Sequence, residues 1–356
     1  RRNAVVEAYR AAGGEIFMAQ TIIENEADVL KAEEELKAAG CNALVVFLGN
    51  FGPEGPETML AQRFQGPSMF VAAAEEDTDV LASSRGDAYC GMLNASYSIG
   101  LKGMRVYIPE YPVGTYDEVA AMIAEFVPIA AVRIGLSNLK VFSFGPRPYD
   151  FLACNAPIKP LFDLGINIQE NSELDLFAAY KAHAGDARIP CVVAEMEKEL
   201  GQGNKMPGIL PRLAQYELTL LDWREQNLGA AKYCVFANKC WPAFQTEFGF
   251  VPCYVNSRMA AKLIPVSCEV DIYGAVTEFI ISCVTGAAPT ILDINNTVPE
   301  DMYAEHIAGK YDYALNETFM GFHCGNTPSC KLCADRAVKY QLIQHRLLEP
   351  AGSDPD

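Results

Sequence analysis

This sequence of 356 residues lacks several things, and each absence excludes a class of protein. It has no apolar run near the roughly 18–20 residues that span a bilayer. The longest stretches, at 43–48 and 126–132, are far shorter, so no membrane partner is expected. Basic residues are scarce: 28 Lys and Arg face 45 Asp and Glu, a net charge of −17. Nucleic acid needs a basic face to meet its phosphates, so none is expected as a partner. The common cofactor and nucleophile signatures are missing too. No Gly-x-Gly-x-x-Gly follows a strand, and Gly201-Gln202-Gly203 lies in a loop with no apolar strand before it. There is no Gly-Lys-Ser/Thr and no Gly-x-Ser-x-Gly, which removes support for a phosphate-binding loop or a hydrolase nucleophile elbow.

What is present is ordinary globular composition, 50% hydrophobic and 21% charged, which excludes a disordered chain. At about 150 residues per domain, the length sets a prior of two to three domains. The 12 cysteines are too dilute for a disulfide scaffold. Cys191, Cys234 and Cys283 have apolar neighbours and read as small core residues of a reduced, cytoplasmic protein. On that reading the sequons at Asn94, Asn295 and Asn316 are chance matches.

Helical composition over 24–39, closed by Gly40, leads into an apolar strand at 43–48. A short buried strand after a helix is the parallel α/β pattern, and it recurs. Strands are predicted at 68–74, 105–109, 140–144, 166–169, 233–238, 264–269 and 290–294. Helices are predicted at 116–134, with Pro128 as a kink or break, and at 174–183 and 210–227. The fold class is therefore α/β, with Rossmann-like parallel-sheet domains in tandem. The expected domains are 1–112, 113–263, and a third that begins at 264 and runs to 356. The chain opens on Arg1 without Met and closes on a polar tail, so it reads as an internal fragment. Its first domain would lack an initial strand, and its last would be truncated.

Ligands of open α/β sheets bind beyond the carboxyl ends of strands. Those ends carry Arg147 after 140–144, then Trp241, Gln245 and Glu247 after 233–238, and Glu269 and Asp271 after 264–269. If the backbone stays extended, Glu269 and Asp271 point the same way. Carboxylates from adjacent strand ends suit a hard divalent cation, Mg²⁺ or Mn²⁺, and also suit proton transfer. The plainer alternative is that they are solvated loop acids or helix caps. Arg147 is suited to a substrate hydroxyl or an anion, or to a structural turn.

His323-Cys324-Gly325-Asn326, with Cys330 and Cys333 beyond, admits three readings. His323 and Asn326 are substrate or metal contacts on a site loop; or His323, Cys324, Cys330 and Cys333 hold zinc; or His323 is a structural residue in a turn. The spacing lacks a second Cys-x-x-Cys or a His pair, which weakens the zinc reading. His183, His306 and His345 stand in polar or charged contexts and are read as surface residues.

The runs Lys239-Cys240-Trp241-Pro242-Ala243-Phe244-Gln245-Thr246-Glu247 and Cys268-Glu269-Val270-Asp271-Ile272-Tyr273-Gly274-Ala275-Val276-Thr277 resemble the L-fucose/L-arabinose isomerase superfamily, and its L-fucose isomerase branch most. The interval of 24 residues from Glu247 to Asp271 fits that branch. Phe144-Gly145-Pro146-Arg147 through Ile166 resembles the start of its second domain, and His323-Cys324-Gly325-Asn326 resembles a motif of its less characterised members. The resemblance spans most of the chain. It implies two Rossmann-like domains followed by a C-terminal domain, and aldose–ketose isomerisation of a monosaccharide with Mn²⁺ or another divalent cation. Glu247 and Asp271 would be both the metal ligands and the acid/base pair, moving a proton between C1 and C2 through an enediol. The family's third ligand is a His in a C-terminal segment beyond this chain, and the resemblance does not put His323 in that role, though it remains a candidate ligand. Substrate contacts would come from Arg147, Trp241, Gln245, Glu269, His323 and Asn326. The family's habit is a homo-oligomer, a trimer or hexamer. The alternative from another class is a non-catalytic sugar-binding α/β protein. The sequence does not choose the sugar: fucose, arabinose and sulfonated hexoses all remain open.

Overall fold

The computed structural model describes residues 1–155, 157–241, 244–323 and 327–338, with Asn295 described by its backbone alone. It divides into two compact units, Arg1–Ile134 and Gly135–Asp356.

The first unit contains α1 (Arg2–Ala11), α2 (Glu26–Ala38), β1 (Leu44–Leu48), α3 (Glu54–Phe64), β2 (Ser68–Ala73), α4 (Thr78–Ser83), α5 (Ala88–Leu101) and β3 (Val113–Gly114), and most of α6 (Tyr116–Leu136). The strands are parallel in the order β1-β2-β3. Every residue of β2 is buried, as a central strand covered on both faces must be. Its side chains alternate: Phe70 and Ala72 pack with residues of α2, α3 and α5, while Met69 and Val71 pack with residues of α1 and α6. Asn25 caps α2 by accepting from the backbone of Ala27 and Asp28. Gly40, at φ +67°, ends that helix in a conformation that favours glycine.

The α/β reading of the sequence stands, but several local expectations do not. Of the kink or break expected at Pro128, the break does not occur: the residue lies inside a continuous α6. Buried Phe126 and Ala130 fix the helix against the first unit's core on both sides of the missing backbone donor. With 21 residues and a mean hydropathy of 1.9, α6 is long and apolar enough to cross a membrane, which the short apolar runs did not reveal. Here Val119, Ala120, Ile123 and Phe126 spend that apolar face on the sheet. Residues 105–109 form no strand; Tyr107 makes a single parallel bridge to Met69. Cys191 is exposed rather than in the core.

The second unit continues with β4 (Leu139–Phe144), α7 (Lys159–Asp163), β5 (Asn167–Asn171), α8 (Glu173–Ala182), α9 (Ile189–Leu200), α10 (Leu210–Asn227), β6 (Tyr233–Ala237), α11 (Cys253–Ala261), β7 (Val266–Ser267) and α12 (Ile272–Thr285). It ends in an antiparallel pair, β8 (Asp293–Thr297) and β9 (Phe319–Phe322), with α13 (Glu300–His306) between them. The main sheet is parallel in the order β5-β4-β6-β7. Its core joins Phe142, Phe144 and Phe236 of the strands to Leu176, Met196 and Tyr216 of α8, α9 and α10. Helix α12 packs against β4, β6 and β7. The chain leaves β4 toward one edge of the sheet and returns on the other side at β6. That reversal is the switch point at which open α/β sheets form a ligand crevice.

Candidate functional site

The loops that leave β4, β6 and β7 at their carboxyl ends carry most of the residues singled out in the sequence. Asn238 ties two of these loops together. Its backbone N–H donates to Ser267 O (3.1 Å) and its carbonyl accepts from Val270 N–H (2.8 Å). Its side-chain nitrogen donates to the Tyr216 hydroxyl at 2.7 Å, while its Oδ1 is buried without a partner.

The strand after α11 is shorter than the sequence suggested. It ends at Ser267, and Glu269 and Val270 both turn into the left-handed region, at φ 54° and 55°. Two adjacent non-glycine residues there cost on the order of 1–3 kcal/mol each, so the surrounding structure must hold the turn. The extended geometry that would have aimed Glu269 and Asp271 together is therefore replaced by a tight turn. Asp271 becomes the N-cap of α12, its Oδ1 accepting from Gly274 N–H at 2.9 Å. The Ser267 hydroxyl donates to the Asp271 carbonyl at 2.6 Å. A Cβ at position 274 would sit 2.6 Å from Asp271 Oδ2, so this glycine leaves the second carboxylate oxygen its room.

Glu269 is drawn into a different set. Its Oε2 lies 4.0 Å from His323 Nε2. Burial raises the Glu269 carboxyl above its ordinary range; the Cys268 thiol and His323 pull it back, while Asp293 and Asp271 push it further up. His323 Nδ1 is buried with no partner. The Cys268 thiol hydrogen-bonds with that of Cys240, and this contact and burial push it up. The Cys154 thiol is raised to about 11, by burial first and then by Asp271 and Glu269.

Glu247 and Gln245 share a π-helical turn, Phe244–Phe248, a form common at functional sites. Gln245 is buried, and neither atom of its amide has a partner. Two orphaned amide atoms in a 7% exposed side chain call for a ligand or an ordered water. Glu247 is exposed. Trp241 packs edge-to-face on Phe151, with centroids 5.1 Å apart. Arg147 Nη1 donates to the carbonyls of Pro148 (2.8 Å) and Tyr149 (2.6 Å). Asn326 and Cys324 lie outside the described residues, and Cys330 and Cys333 are exposed.

The structure thus brings Glu269, Asp271 and His323 into one neighbourhood. Among the described residues, Glu247, Asp271 and His323 do not form a three-donor group with all atoms within 4.8 Å; His183, Asp186 and Asp222 do. That group already holds a cation. Arg188 donates to Asp222 Oδ1 (2.9 Å) and Oδ2 (2.6 Å), and to Asp186 Oδ1 (3.0 Å) and Oδ2 (2.6 Å). Hydrogen bonds from Arg188 hold Asp222 down at about 2 and Asp186 lower still. Asp222 also meets His183 Nε2 at 2.9 Å, so His183 is a packed, paired residue rather than the surface one expected.

Sequence reasoning gave no role to Glu278. This side chain is 3% exposed on α12, its Oε2 has no partner, and burial and then Asp271 raise its carboxyl to about 8. The signal was a lone acid in an otherwise apolar helix, two turns after Asp271.

Residues 1–137 match the family model for the fucose/sulfoquinovose isomerase N-terminal domain. The chain is similar to curated proteins named sulfoquinovose isomerase. It is 30% identical to one from Clostridium sp. (strain MSTE9) over 245 residues, covering 67% of this chain and 50% of that protein. It is 27% identical to one from Alkalicoccus urumqiensis over 203 residues, covering 55% and 44%. With one from Priestia megaterium the figures are 25% over 187 residues, 51% and 40%. The chain spans about half the length of the curated relatives it matches, or less. The N-terminal match and these relatives together support a fucose isomerase-like family for this chain, at modest identity.

Proposed function

We propose that this protein is a sugar aldose–ketose isomerase acting on a sulfoquinovose-type monosaccharide, with its chemistry at the carboxyl ends of β6 and β7. The observation that carries the reading is the Cys268–Asp271 turn, where Asp271 is fixed by its own helix and keeps one oxygen clear beside Gly274. It is supported by the similarity to sulfoquinovose isomerases.

The donors suit a hard divalent cation, Mn²⁺ foremost. Asp271 supplies an oxygen held in a cradle that a Cβ would fill, and the orphaned Nδ1 leaves His323 a ring nitrogen to offer. Glu247 and Asp271 would hold the ion, with His323 as a further ligand. Such an ion, when bound, polarises the substrate carbonyl and stabilises negative charge on its oxygen. The chain's own groups then have distinct tasks. Glu247 and Asp271 pass the proton between C1 and C2 through an enediol. Gln245 offers both a donor and an acceptor to substrate hydroxyls. Trp241, Glu269, Asn326 and His323 complete the substrate contacts. The protein would work in the cytoplasm as a homo-oligomer; no disulfide joins any of its eleven described cysteines, in keeping with a reducing compartment.

Incubating the protein with sulfoquinovose and Mn²⁺ and following the anomeric region by NMR tests this. Appearance of the 2-ketose, abolished by chelation, is the expected result. Sugar binding without conversion would refute the reading.

A further inference from the structure

The isomerase reading leaves one requirement unmet. A sulfonated sugar is an anion, and the chain that must bind it carries a net charge of −17, with Glu247, Glu269 and Asp271 at the proposed centre. Recognition needs a local cation at the same crevice.

We propose that Arg147 reads the sulfonate of the substrate and so sets the preference for sulfonated over neutral sugars. This rests on the isomerase reading. Three observations carry it. Arg147 follows β4, one of the two strands that flank the switch point of the second sheet. Its guanidinium is already oriented: Nη1 is fixed by the Pro148 and Tyr149 carbonyls, while Nε and Nη2 meet no acceptor among the described residues. That free edge is the fork that binds two oxygens of an oxyanion. The neighbouring cation is spent. Lys239, 8% exposed after β6, pairs with Glu173 at 3.0 Å and donates to the Pro146 carbonyl at 3.2 Å. Lys239 therefore ties down the loop that presents Arg147 and contributes little free charge of its own.

The Cys154 thiol feels Arg147 as well as Asp271 and Glu269, which puts the cation and the acids in one neighbourhood. A hexose carries its reacting carbons and its 6-substituent at opposite ends. Arg147 on the loop after β4, and the acids on the loops after β6 and β7, offer those two ends different partners.

Calorimetric titration of the wild-type protein, R147Q and R147K with sulfoquinovose and with its 6-deoxy analogue lacking the sulfonate tests the assignment without requiring turnover. R147Q is expected to bind sulfoquinovose about 100-fold more weakly, and R147K about 10-fold, because lysine keeps the charge and loses the fork. Affinity for the neutral analogue should hold within about threefold. Equal losses for both sugars would make Arg147 a structural brace of its loop and overturn the proposal, as would no loss for either. Wild-type protein that binds neither sugar would overturn the isomerase reading itself, and this assignment with it.

Discussion

At the scale of single residues, the carboxyl groups differ by environment more than by position in the sequence. Asp271 has a backbone donor and open space, whereas Glu278 lies two helical turns on against the sheet, without a partner for one oxygen. A buried carboxyl held near 8 stays protonated in the folded protein while its unfolded counterpart ionises near 4.5. Below about pH 4.5 both states hold the proton, and the residue adds no pH dependence. Between about 4.5 and 8 the folded state binds more protons, so stability falls as pH rises, and above 8 the penalty is complete. Glu278→Gln should remove that penalty, about 5 kcal/mol at most. Urea denaturation at pH 5 and pH 8.5 should show the variant gaining on the wild-type protein only at the higher pH; an identical difference at both would contradict it. The run Ile272–Thr285 shows a lone acid in an apolar helix, but its protonation depends on which side of the helix the sheet covers. The left-handed turn at Glu269 and Val270 was equally hidden. Neither residue type favours that conformation, and it is imposed by the hydrogen bonds of Asn238 and Ser267.

At the scale of elements, the periodic signals served well where a helix or strand has a continuous stripe to bury. The helix predicted at 210–227 is α10 (Leu210–Asn227), and the strands at 140–144 and 233–238 lie within a residue of β4 and β6. Expectations failed where pairing is nearly absent. β3 has two residues and β7 has two, too few to leave a hydrophobic pattern. One buried element contact had no sequence signal. Arg258 of α11, 6% exposed, meets Glu217 of α10 at 2.6 Å and Glu195 of α9 at 3.1 Å, and it also pairs with Glu199. Removing the guanidinium leaves Glu217, 2% exposed, with Lys262 at 3.3 Å as its remaining cation. Arg258→Met should therefore cost about 3 kcal/mol in denaturant-induced unfolding. A loss below about 1 kcal/mol would mean that the three helices are held by their apolar contacts alone.

At the scale of the whole molecule, the family match over 1–137 closes three residues past the end of the first unit at Ile134. The sheet order of the second unit then puts its crevice between β4 and β6, a consequence of topology that no local motif encodes. The long runs around Glu247 and Asp271 were legible because they are contiguous in sequence. Their spatial relation was not, since it depends on three loops from three strands. The central claim is that Glu247 and Asp271 hold a divalent ion. Asparagine caps a helix about as well as aspartate, so Asp271→Asn should keep the fold while losing the charged oxygen. Titrating Mn²⁺ into the wild-type protein, E247Q and D271N by calorimetry, with thermal melts alongside, tests the claim most directly. We expect one ion per chain in the wild-type protein and at least tenfold weaker binding in each variant, with melting temperatures preserved. Undiminished Mn²⁺ binding in both variants would contradict it.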